Sequence, residues 1–433
     1  MISPDLETDR KKYNVLEPIL HKINADIVTI SDEQKSRSQA IMETVVRLFI
    51  DEMKSLDVMF ARMFRKILYG GSYYDGLKIK DADEFDIDLA LALPKAADPC
   101  LEVSSDNGFV NVKLEKYESF KRQRQLAVDY SILSLFLYFQ ENGEVLDSDN
   151  YLLTDKFRAW FESLIHNATN NIIEYKKCPY KFTVHKGGPA FTLHINVNYS
   201  HRIDVDLVPS IIFSEEKWPG PPFRQNRTAK KDFLIVPKPF HDYGPLSWRL
   251  SFQEQESEII RGKDRLKCVV RLLKLLRDVQ GQDLIASYYI KTVFMWLLQY
   301  TDEAFWKRDS LSYTFMMGLK YYSKMLDEKT IPYYWNDRNN LLNTGKNVTI
   351  YQCSQRIKRI IARIERNLDS NEIATVLDEY FVLGKLRIIN YKQYPKCRKS
   401  GKSRKGNEIM KRTDILRDLR NEGCNSINAQ FYS

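Results

Sequence analysis

A change of hydrophobic period at the glycine pair 70–71 limits the folds open to this chain more than any other feature. Over 31–69, apolar residues recur at helical spacing, beginning at Ser31, which forms a capping box with Gln34. Over 85–93 (FDIDLALAL), apolar and polar residues alternate, as in a strand with one buried face. The sequence therefore predicts a long helix over 31–69, ended by the two glycines and followed by a sheet.

The rest of the chain divides into a mixed half and a helical half. The predicted strands are 109–115, 181–198 and 202–213, and the mainly helical segments are 121–175, 255–280, 285–301, 311–326, 351–367 and 371–383. We expect an α+β fold with two lobes. Residues 1–245 would form a mixed β-sheet core with the long N-terminal helix, and residues 246–433 a helical lobe with a basic tail. Residues 1–30 are expected to form a short helix.

Composition argues against several classes of protein. No apolar stretch approaches the length of a membrane-spanning helix, and the N-terminus lacks the hydrophobic segment of a secretory signal. The cysteines are at least 27 residues apart and the six histidines form no HxxxH or HExxH motif. A zinc ribbon, a redox dithiol and a disulfide framework are therefore not expected. Isolated thiols are typical of a reducing compartment such as the cytosol or nucleus.

The motif DEFDID at 83–88 carries the most specific chemistry in the sequence. In a strand, Glu84 and Asp86 project to one face, while the phenylalanine between them faces the core. Two carboxylates this close repel each other unless a divalent cation lies between them. A second acidic strand contains Asp204 and Asp206, either of which could complete a set of three carboxylates. Such a set suits Mg²⁺ or Mn²⁺ rather than zinc.

A Gly71-Ser72 turn precedes the first acidic strand by about a dozen residues. Glycine lets the backbone approach a phosphate closely, and a serine hydroxyl with free N–H groups can bind phosphate oxygens. Either motif alone could be an ordinary turn or a solvated strand face. Their combination with a second acidic strand indicates nucleotide chemistry at a metal site.

The ordered motifs from about 70 to 300 resemble those of the cyclic GMP-AMP synthase family of nucleotidyltransferases. The resembling blocks are GSYYDGLKI at 71–79, DEFDIDLAL at 83–91, VDL at 205–207 with Trp-Pro downstream, LIVPK at 234–238, WRLSF at 248–252 and ASYYIKT at 286–292. The resemblance implies a bilobal nucleotidyltransferase fold with a long spine helix. It also implies synthesis of cyclic GMP-AMP from ATP and GTP with two Mg²⁺ or Mn²⁺ ions.

The resemblance assigns roles to individual residues as well. Glu84, Asp86 and Asp206 match the catalytic metal-binding acids, and Asp206 is preferred to Asp204 because it holds the matching place before Leu207. The positions matching phosphate or ribose contacts are Gly71, Ser72, Lys274 and Ser287, those matching base recognition are Arg249 and Ser251, and the ring that would stack on a base is Tyr288.

One departure from the family pattern bears on the activator. The vertebrate enzyme has a His-Cys-Cys-Cys zinc insertion just before the region of Lys274, where this chain has Gly262 to Cys268 with one cysteine and no histidine. In the family that insertion supports binding of double-stranded DNA. This chain is more similar to the shorter animal relatives, the cyclic GMP-AMP synthase-like receptors, some of which sense double-stranded RNA. No zinc is expected.

Clusters of basic residues are consistent with a polyanionic partner. The net charge of +9 is modest for 433 residues, so only its clustering is informative. The expected nucleic-acid-binding residues are Lys35, Arg37, Arg224, Arg227, Lys230 and Lys231. A further cluster lies in the tail at 392–412, with nine Lys or Arg residues against one acid.

The resulting hypothesis is a cytoplasmic, antiviral sensor of double-stranded RNA whose cyclic dinucleotide acts on a downstream receptor. Three alternatives remain open: activation by double-stranded DNA, a catalytically silent nucleic-acid-binding scaffold of the same fold, and a template-independent polymerase. The intact set of acids argues against the scaffold. The serine-tyrosine and Trp-Arg-Leu-Ser-Phe blocks argue against the polymerase.

Overall fold

A mixed sheet organises the fold in the computed structural model, which describes residues 3–104, 108–116, 145–198, 201–238, 245–343 and 345–382. The basic tail at 392–412 and the first part of the helical segment expected over 121–175 lie outside these residues. The described strands of the sheet are β1 (Phe64–Gly70), β2 (Glu84–Leu91), β3 (Pro99–Val103), β4 (Phe109–Leu114), β5 (Lys181–Gly187), β6 (Ala190–Asn196), β7 (Arg202–Phe213), β8 (Phe233–Val236) and β9 (Trp248–Ser251).

The strand order places the two acidic strands side by side. The sheet runs β1-β2-β7-β8-β9-β4-β3, and the β5–β6 hairpin joins it where β6 pairs with β7. β2 and β7 are parallel neighbours, with Glu84 opposite Asp204 and Asp86 opposite Asp206. Side chains at matched positions of paired strands share a face. All four carboxylates therefore project from the same side of the sheet.

Helices flank the sheet and, apart from one small hairpin, form the secondary structure of the described chain from Gln253 onward. The helices are α1 (Glu17–Ile23), α2 (Asp32–Leu56), α3 (Val58–Met63), α4 (Gly71–Tyr74), α5 (Thr154–Glu174), α6 (Gln253–Ile260), α7 (Asp264–Val279), α8 (Ser287–Leu297), α9 (Glu303–Lys307), α10 (Leu311–Asp327), α11 (Asn347–Arg366) and α12 (Ile373–Phe381). The hairpin consists of β10 (Pro332–Tyr333) and β11 (Asn336–Asn340). The α+β class and the helical second half agree with the expectation from the sequence.

The helix predicted over 31–69 begins as expected but ends early. The Ser31 hydroxyl accepts a hydrogen bond from the Gln34 backbone N–H (3.2 Å). α2 then stops at Leu56, because Asp57 adopts an extended backbone and caps α3 by accepting from the Phe60 N–H (2.7 Å). Residues 64–70 form β1, which pairs antiparallel with β2. The prediction that the glycine pair ends a helix is therefore wrong, since a strand ends there.

A large apolar core runs from the sheet into the helical half. Phe85, Ile87 and Leu89 of β2 are completely buried in it, as are most residues of α8 and α10. Burial of this kind is the main stabilising contribution to a fold of this size. None of the described helices combines the length and the apolar character needed to cross a membrane.

Candidate active site

The acidic ends of β2 and β7 form the most unusual group of charges in the structure. Glu84 is exposed and Asp86 is half-buried, whereas Phe85 between them is fully buried. This is the arrangement predicted from the alternation of the strand. The parallel register adds Asp204 and Asp206 to the same face.

The two aspartates of β7 have different surroundings. Asp204 pairs with Arg202 (Nε to Oδ1, 2.7 Å) and contacts Nδ1 of His194 (2.7 Å). Asp206 accepts a hydrogen bond from the Thr192 hydroxyl (2.5 Å) and has no ion pair within the described residues. The charge of Asp204 is thus largely neutralised, while that of Asp206 faces Asp86. This difference supports Asp206 as the third acid of the set.

Asp86 is held in a setting that disfavours its ionised form. Burial, followed by repulsion from Glu84 and Asp206, raises the pKa of Asp86 to about 6. Burial also raises the pKa of Asp88 to about 6, but Asp88 accepts hydrogen bonds from Gln253 Nε2 (2.5 Å) and from a serine hydroxyl. Asp88 is therefore fixed within the protein, whereas Asp86 lacks an ion-pair partner among the described residues.

The Gly71-Ser72 turn closes over this carboxylate. Gly71 begins α4 with φ = +71°, and a Cβ atom at this position would overlap the carboxylate of Asp86. A residue with a side chain would be strained by the backbone angle and would displace the acid. The Ser72 hydroxyl makes no hydrogen bond within the described residues. The turn and the carboxylate are thus packed directly against each other.

Lys78, which the sequence analysis did not single out, neutralises part of the acidic group. Its Nζ lies 2.5 Å from Glu84 Oε2 and 3.3 Å from Asp83 Oδ1. Among the described residues, no three His, Cys, Asp or Glu side chains are arranged to hold a metal ion. The donors nevertheless fit a divalent cation, because the hard oxygens of Glu84, Asp86 and Asp206 share one face and Asp86 has no ion pair within the described residues. A cation bound through both oxygens of Glu84 would displace Lys78 from Oε2.

Lys274 and Ser287 of the helical half are already engaged by protein groups. The ammonium of Lys274 on α7 is buried and donates to the Leu77 carbonyl (2.8 Å). Burial, followed by repulsion from Arg277 and Lys78, lowers the pKa of Lys274 to about 8. The Ser287 hydroxyl at the start of α8 accepts a hydrogen bond from Arg277 Nη1 (2.9 Å). Lys274 thus contacts the segment between the turn and β2.

Tyr288 belongs to a buried polar network that periodicity did not reveal. Its hydroxyl donates to Glu256 Oε1 (2.8 Å). Lys291, one turn further along α8, bridges Glu256 (2.9 Å) and Asp75 (2.7 Å). Burial alone would lower the pKa of Lys291, but the two carboxylates raise it. Because Asp75 directly follows α4, this network connects the turn to the helical half. In the sequence, the signal for this network was Lys291, a lone lysine in the apolar run of α8.

Arg249 and Ser251 lie on β9, separated from β2 by β7 and β8. They are two residues apart, so their half-buried side chains share one face of the strand. Burial and then the charge of Arg249 lower the pKa of Lys238, which places two cations close together. These residues form a second polar group on the sheet, apart from the carboxylates.

The six residues expected to bind nucleic acid differ in how far their charges are neutralised. The lysines pair with acids: Lys35 with Asp32 (2.9 Å), Lys230 with Glu254 (3.2 Å) and Lys231 with Glu215 (2.9 Å). Arg224 lies over the rings of Trp296 (4.8 Å) and Tyr334 (4.6 Å). Arg37 and Arg227 are exposed and form no ion pair within the described residues. Arg224 has no ion pair among the described residues either, but its charge lies over two rings, so Arg37 and Arg227 are the most accessible of the six charges.

Comparison with known proteins agrees with this geometry. Residues 73–262 match the Mab-21 protein nucleotidyltransferase domain, and residues 265–359 match the Mab-21 protein HhH/H2TH-like domain. A cyclic GMP-AMP synthase-like receptor of Aethina tumida is 38% identical over 377 residues, covering 84% of this chain and 92% of the relative.

Two further relatives carry the same name. The protein of Tribolium castaneum is 37% identical over 369 residues, covering 81% of this chain and 89% of the relative. The protein of Nicrophorus vespilloides is 34% identical over 371 residues, covering 86% of this chain and 98% of the relative. These matches confirm the resemblance drawn from the motifs.

Proposed function

The chain belongs to the cyclic GMP-AMP synthase-like receptors of the Mab-21 family and is a nucleotidyltransferase, and we propose that it makes cyclic GMP-AMP when it binds double-stranded RNA. In this proposal it is a cytoplasmic sensor of innate immunity, and its product acts on a downstream receptor. The observation that carries the proposal is the β2–β7 register, which brings Glu84, Asp86 and Asp206 to one face beneath the Gly71-Ser72 turn.

Three carboxylates would hold two Mg²⁺ or Mn²⁺ ions in this enzyme: Glu84, Asp86 and Asp206. Bound divalent ions lower the pKa of a ribose hydroxyl and stabilise departing pyrophosphate. Asp86 must be ionised to act as a ligand, and its raised pKa therefore sets a lower limit of pH for activity. No protein nucleophile is required.

The chain's own residues would bind and orient the nucleotides. The backbone of Gly71 and the unpaired hydroxyl of Ser72 are suited to bind phosphate oxygens next to the carboxylates. Lys274, adjacent to the same segment, would provide a positive charge for the triphosphate. Arg249 and Ser251 would contact a base. The ring of Tyr288 would stack on a base after its hydrogen bond to Glu256 breaks and the ring becomes accessible from the cleft.

The reaction would use this cleft twice. A ribose hydroxyl of one nucleotide attacks the α-phosphorus of the other, which joins ATP and GTP and releases pyrophosphate. The linear dinucleotide then turns, and its free ribose hydroxyl attacks the remaining α-phosphorus to close the ring and release a second pyrophosphate. Cyclisation distinguishes this activity from that of a template-independent polymerase.

Double-stranded RNA is the proposed activator on two grounds. The segment from Gly262 to Cys268 lacks the residues of the zinc insertion that supports DNA binding in the vertebrate enzyme. The exposed Arg37 and Arg227 provide positive charges for a phosphate backbone. Proteins contact A-form RNA mainly through this backbone and the ribose hydroxyls. Double-stranded DNA and a silent scaffold are the alternative readings.

One incubation series tests the proposal. The protein is mixed with ATP, GTP and Mg²⁺, alone or with duplex RNA or duplex DNA, and the products are identified by mass spectrometry. We expect a cyclic dinucleotide with duplex RNA only, and none from Asp86→Ala in any mixture. Product with DNA only would reverse the choice of activator, and extended chains would indicate a polymerase. Duplex binding without any product would favour the scaffold.

A further inference from the structure

Lys78 occupies an unusual position for a lysine beside acids. Its side chain is only 13% exposed, and its ammonium lies between Glu84 (2.5 Å) and Asp83 (3.3 Å). Its positive charge also acts on Asp86 and on Lys274. Lys78 is therefore a partly buried cation among residues of the proposed nucleotide site.

A second lysine two residues further on provides a contrast. Lys80 pairs with Asp278 near the end of α7 (3.0 Å) and is 33% exposed. Both lysines lie on the short segment between α4 and β2, but only Lys78 is directed to the carboxylates. The position of Lys78 is thus specific and does not follow from the basic character of the segment.

We propose that Lys78 is an internal counter-ion that competes with the divalent cation for Glu84 and so sets the metal affinity of the site. This inference rests on the proposed metal site. An ammonium donating to Glu84 Oε2 occupies a lone pair that a metal ion would share, and its positive charge repels the ion. Metal binding at Glu84 is therefore stronger when Lys78 leaves this carboxylate, and the released ammonium remains close to Lys274.

The consequence is that the metal site and the triphosphate depend on each other. A triphosphate bound at the Gly71-Ser72 turn offers oxygens to the Lys78 ammonium, which frees Glu84 for the metal ion. Without nucleotide, Lys78 stays on Glu84 and the affinity for metal is low. Lys78 acts as a positioning residue, since it changes the availability of a ligand rather than contacting the reacting atoms.

The test measures Mn²⁺ binding to the full chain without nucleotide, by the loss of the electron paramagnetic resonance signal of free Mn²⁺. We expect Lys78→Met to bind Mn²⁺ about three- to tenfold more tightly than the wild type, as loss of one competing ion pair implies. Lys80→Met is the matched control and should leave the affinity unchanged. Lys78→Arg restores a cation at Glu84 and should keep the affinity near that of the wild type.

The outcomes separate this inference from the metal site itself. If Glu84→Gln binds Mn²⁺ as well as the wild type does, the proposed metal site fails. If Glu84→Gln weakens binding but Lys78→Met does not tighten it, the site stands and the counter-ion role is wrong. Tightening in both Lys78→Met and Lys78→Arg would also contradict it, because altered packing would then explain the change. Lys78→Gln, with thermal unfolding of each variant, serves if Lys78→Met does not fold.

Discussion

The carboxylate face (Glu84, Asp86 and Asp206) differs in its charge pairing from the six basic residues expected to bind nucleic acid, which are called the basic surface here (Lys35, Arg37, Arg224, Arg227, Lys230 and Lys231). On the carboxylate face, like charges meet and two of the three acids have no ion-pair partner among the described residues. On the basic surface, the lysines are paired with acids. Crowded, half-buried like charges are costly and point to a missing counter-ion, whereas exposed ion pairs contribute little and indicate no ligand.

From this comparison, we expect the largest loss of synthesis activity for Asp86→Asn. The variant keeps the shape of the side chain but removes the charge that a metal ion would need, so synthesis should fall by about a thousandfold or more. Asp204→Asn is the matched control, because Asp204 is already paired with Arg202 and His194. Product formation measured under activating conditions should be abolished in the first variant and largely kept in the second.

The same variant has an opposite effect on stability in metal-free protein. The pKa of Asp86 is about 6 in the folded state against an ordinary value of 3.8, so the folded state binds more protons between these values. The free energy of unfolding therefore falls as pH rises from about 4 to 6. At pH 7.5 with a chelator, Asp86→Asn should be more stable than the wild type by about 1–3 kcal/mol. Chemical denaturation measures this difference, and a lower free energy of unfolding for Asp86→Asn would contradict the conclusion that this carboxylate has no ion-pair partner.

A smaller loss of activity is expected for Gly71→Ala. The new methyl group would strain a backbone with φ = +71° and press on the Asp86 carboxylate. Gly76→Ala is the matched control: φ is +72°, but the Cβ would meet only the flexible Lys267 side chain, at 3.4 Å. Both variants should lose stability through backbone strain, and Gly71→Ala should lose more because its methyl group also overlaps the Asp86 carboxylate. Gly71→Ala should in addition lose about tenfold more kcat. Equal kcat losses would mean that strain alone matters and that the contact with Asp86 does not.

The pH dependence of synthesis should show a more modest, graded effect. Activity should fall as pH drops through about 6, by about tenfold per pH unit at the low end, because Asp86 becomes protonated. Metal ions compete with protons for this carboxylate, so a higher Mn²⁺ concentration should move the midpoint to lower pH. A midpoint that is independent of metal concentration would assign the titration to another group.

Local patterns in the sequence were sufficient to find the carboxylate face. Strand alternation predicted that Glu84 and Asp86 share a face, and the second acidic strand lies beside the first in matching register. The resemblance selected Asp206, and the pairing of Asp204 with Arg202 supports that choice without testing it. These features are encoded within a few residues of each other, which is why periodicity could reveal them.

Features that depend on distant contacts were not predictable in this way. The break after α2 depends on Asp57, which accepts hydrogen bonds from Phe60 N and from Trp160 Nε1 on α5 (2.9 Å). Helical periodicity continues through this position, so the local pattern of apolar residues does not predict β1. The pairing of Lys291 with Asp75 likewise joins segments that are far apart in the chain, and a charge pattern along the chain does not identify it.

The smallest effect concerns the basic surface and tests whether free charges differ from paired ones. Arg37→Ala with Arg227→Ala removes two exposed arginines that have no ion pair within the described residues. Lys230→Ala with Lys231→Ala removes two paired lysines. Each double variant lowers the net charge by the same amount, so a general electrostatic effect would weaken duplex RNA binding equally. If the arginines contact phosphates directly, their loss should instead weaken affinity by about three- to tenfold. It should also reduce the slope of log affinity against log salt concentration by about one unit per arginine. Fluorescence anisotropy over a range of salt concentrations measures both quantities, and equal slopes for the two variants would remove these arginines from the interface.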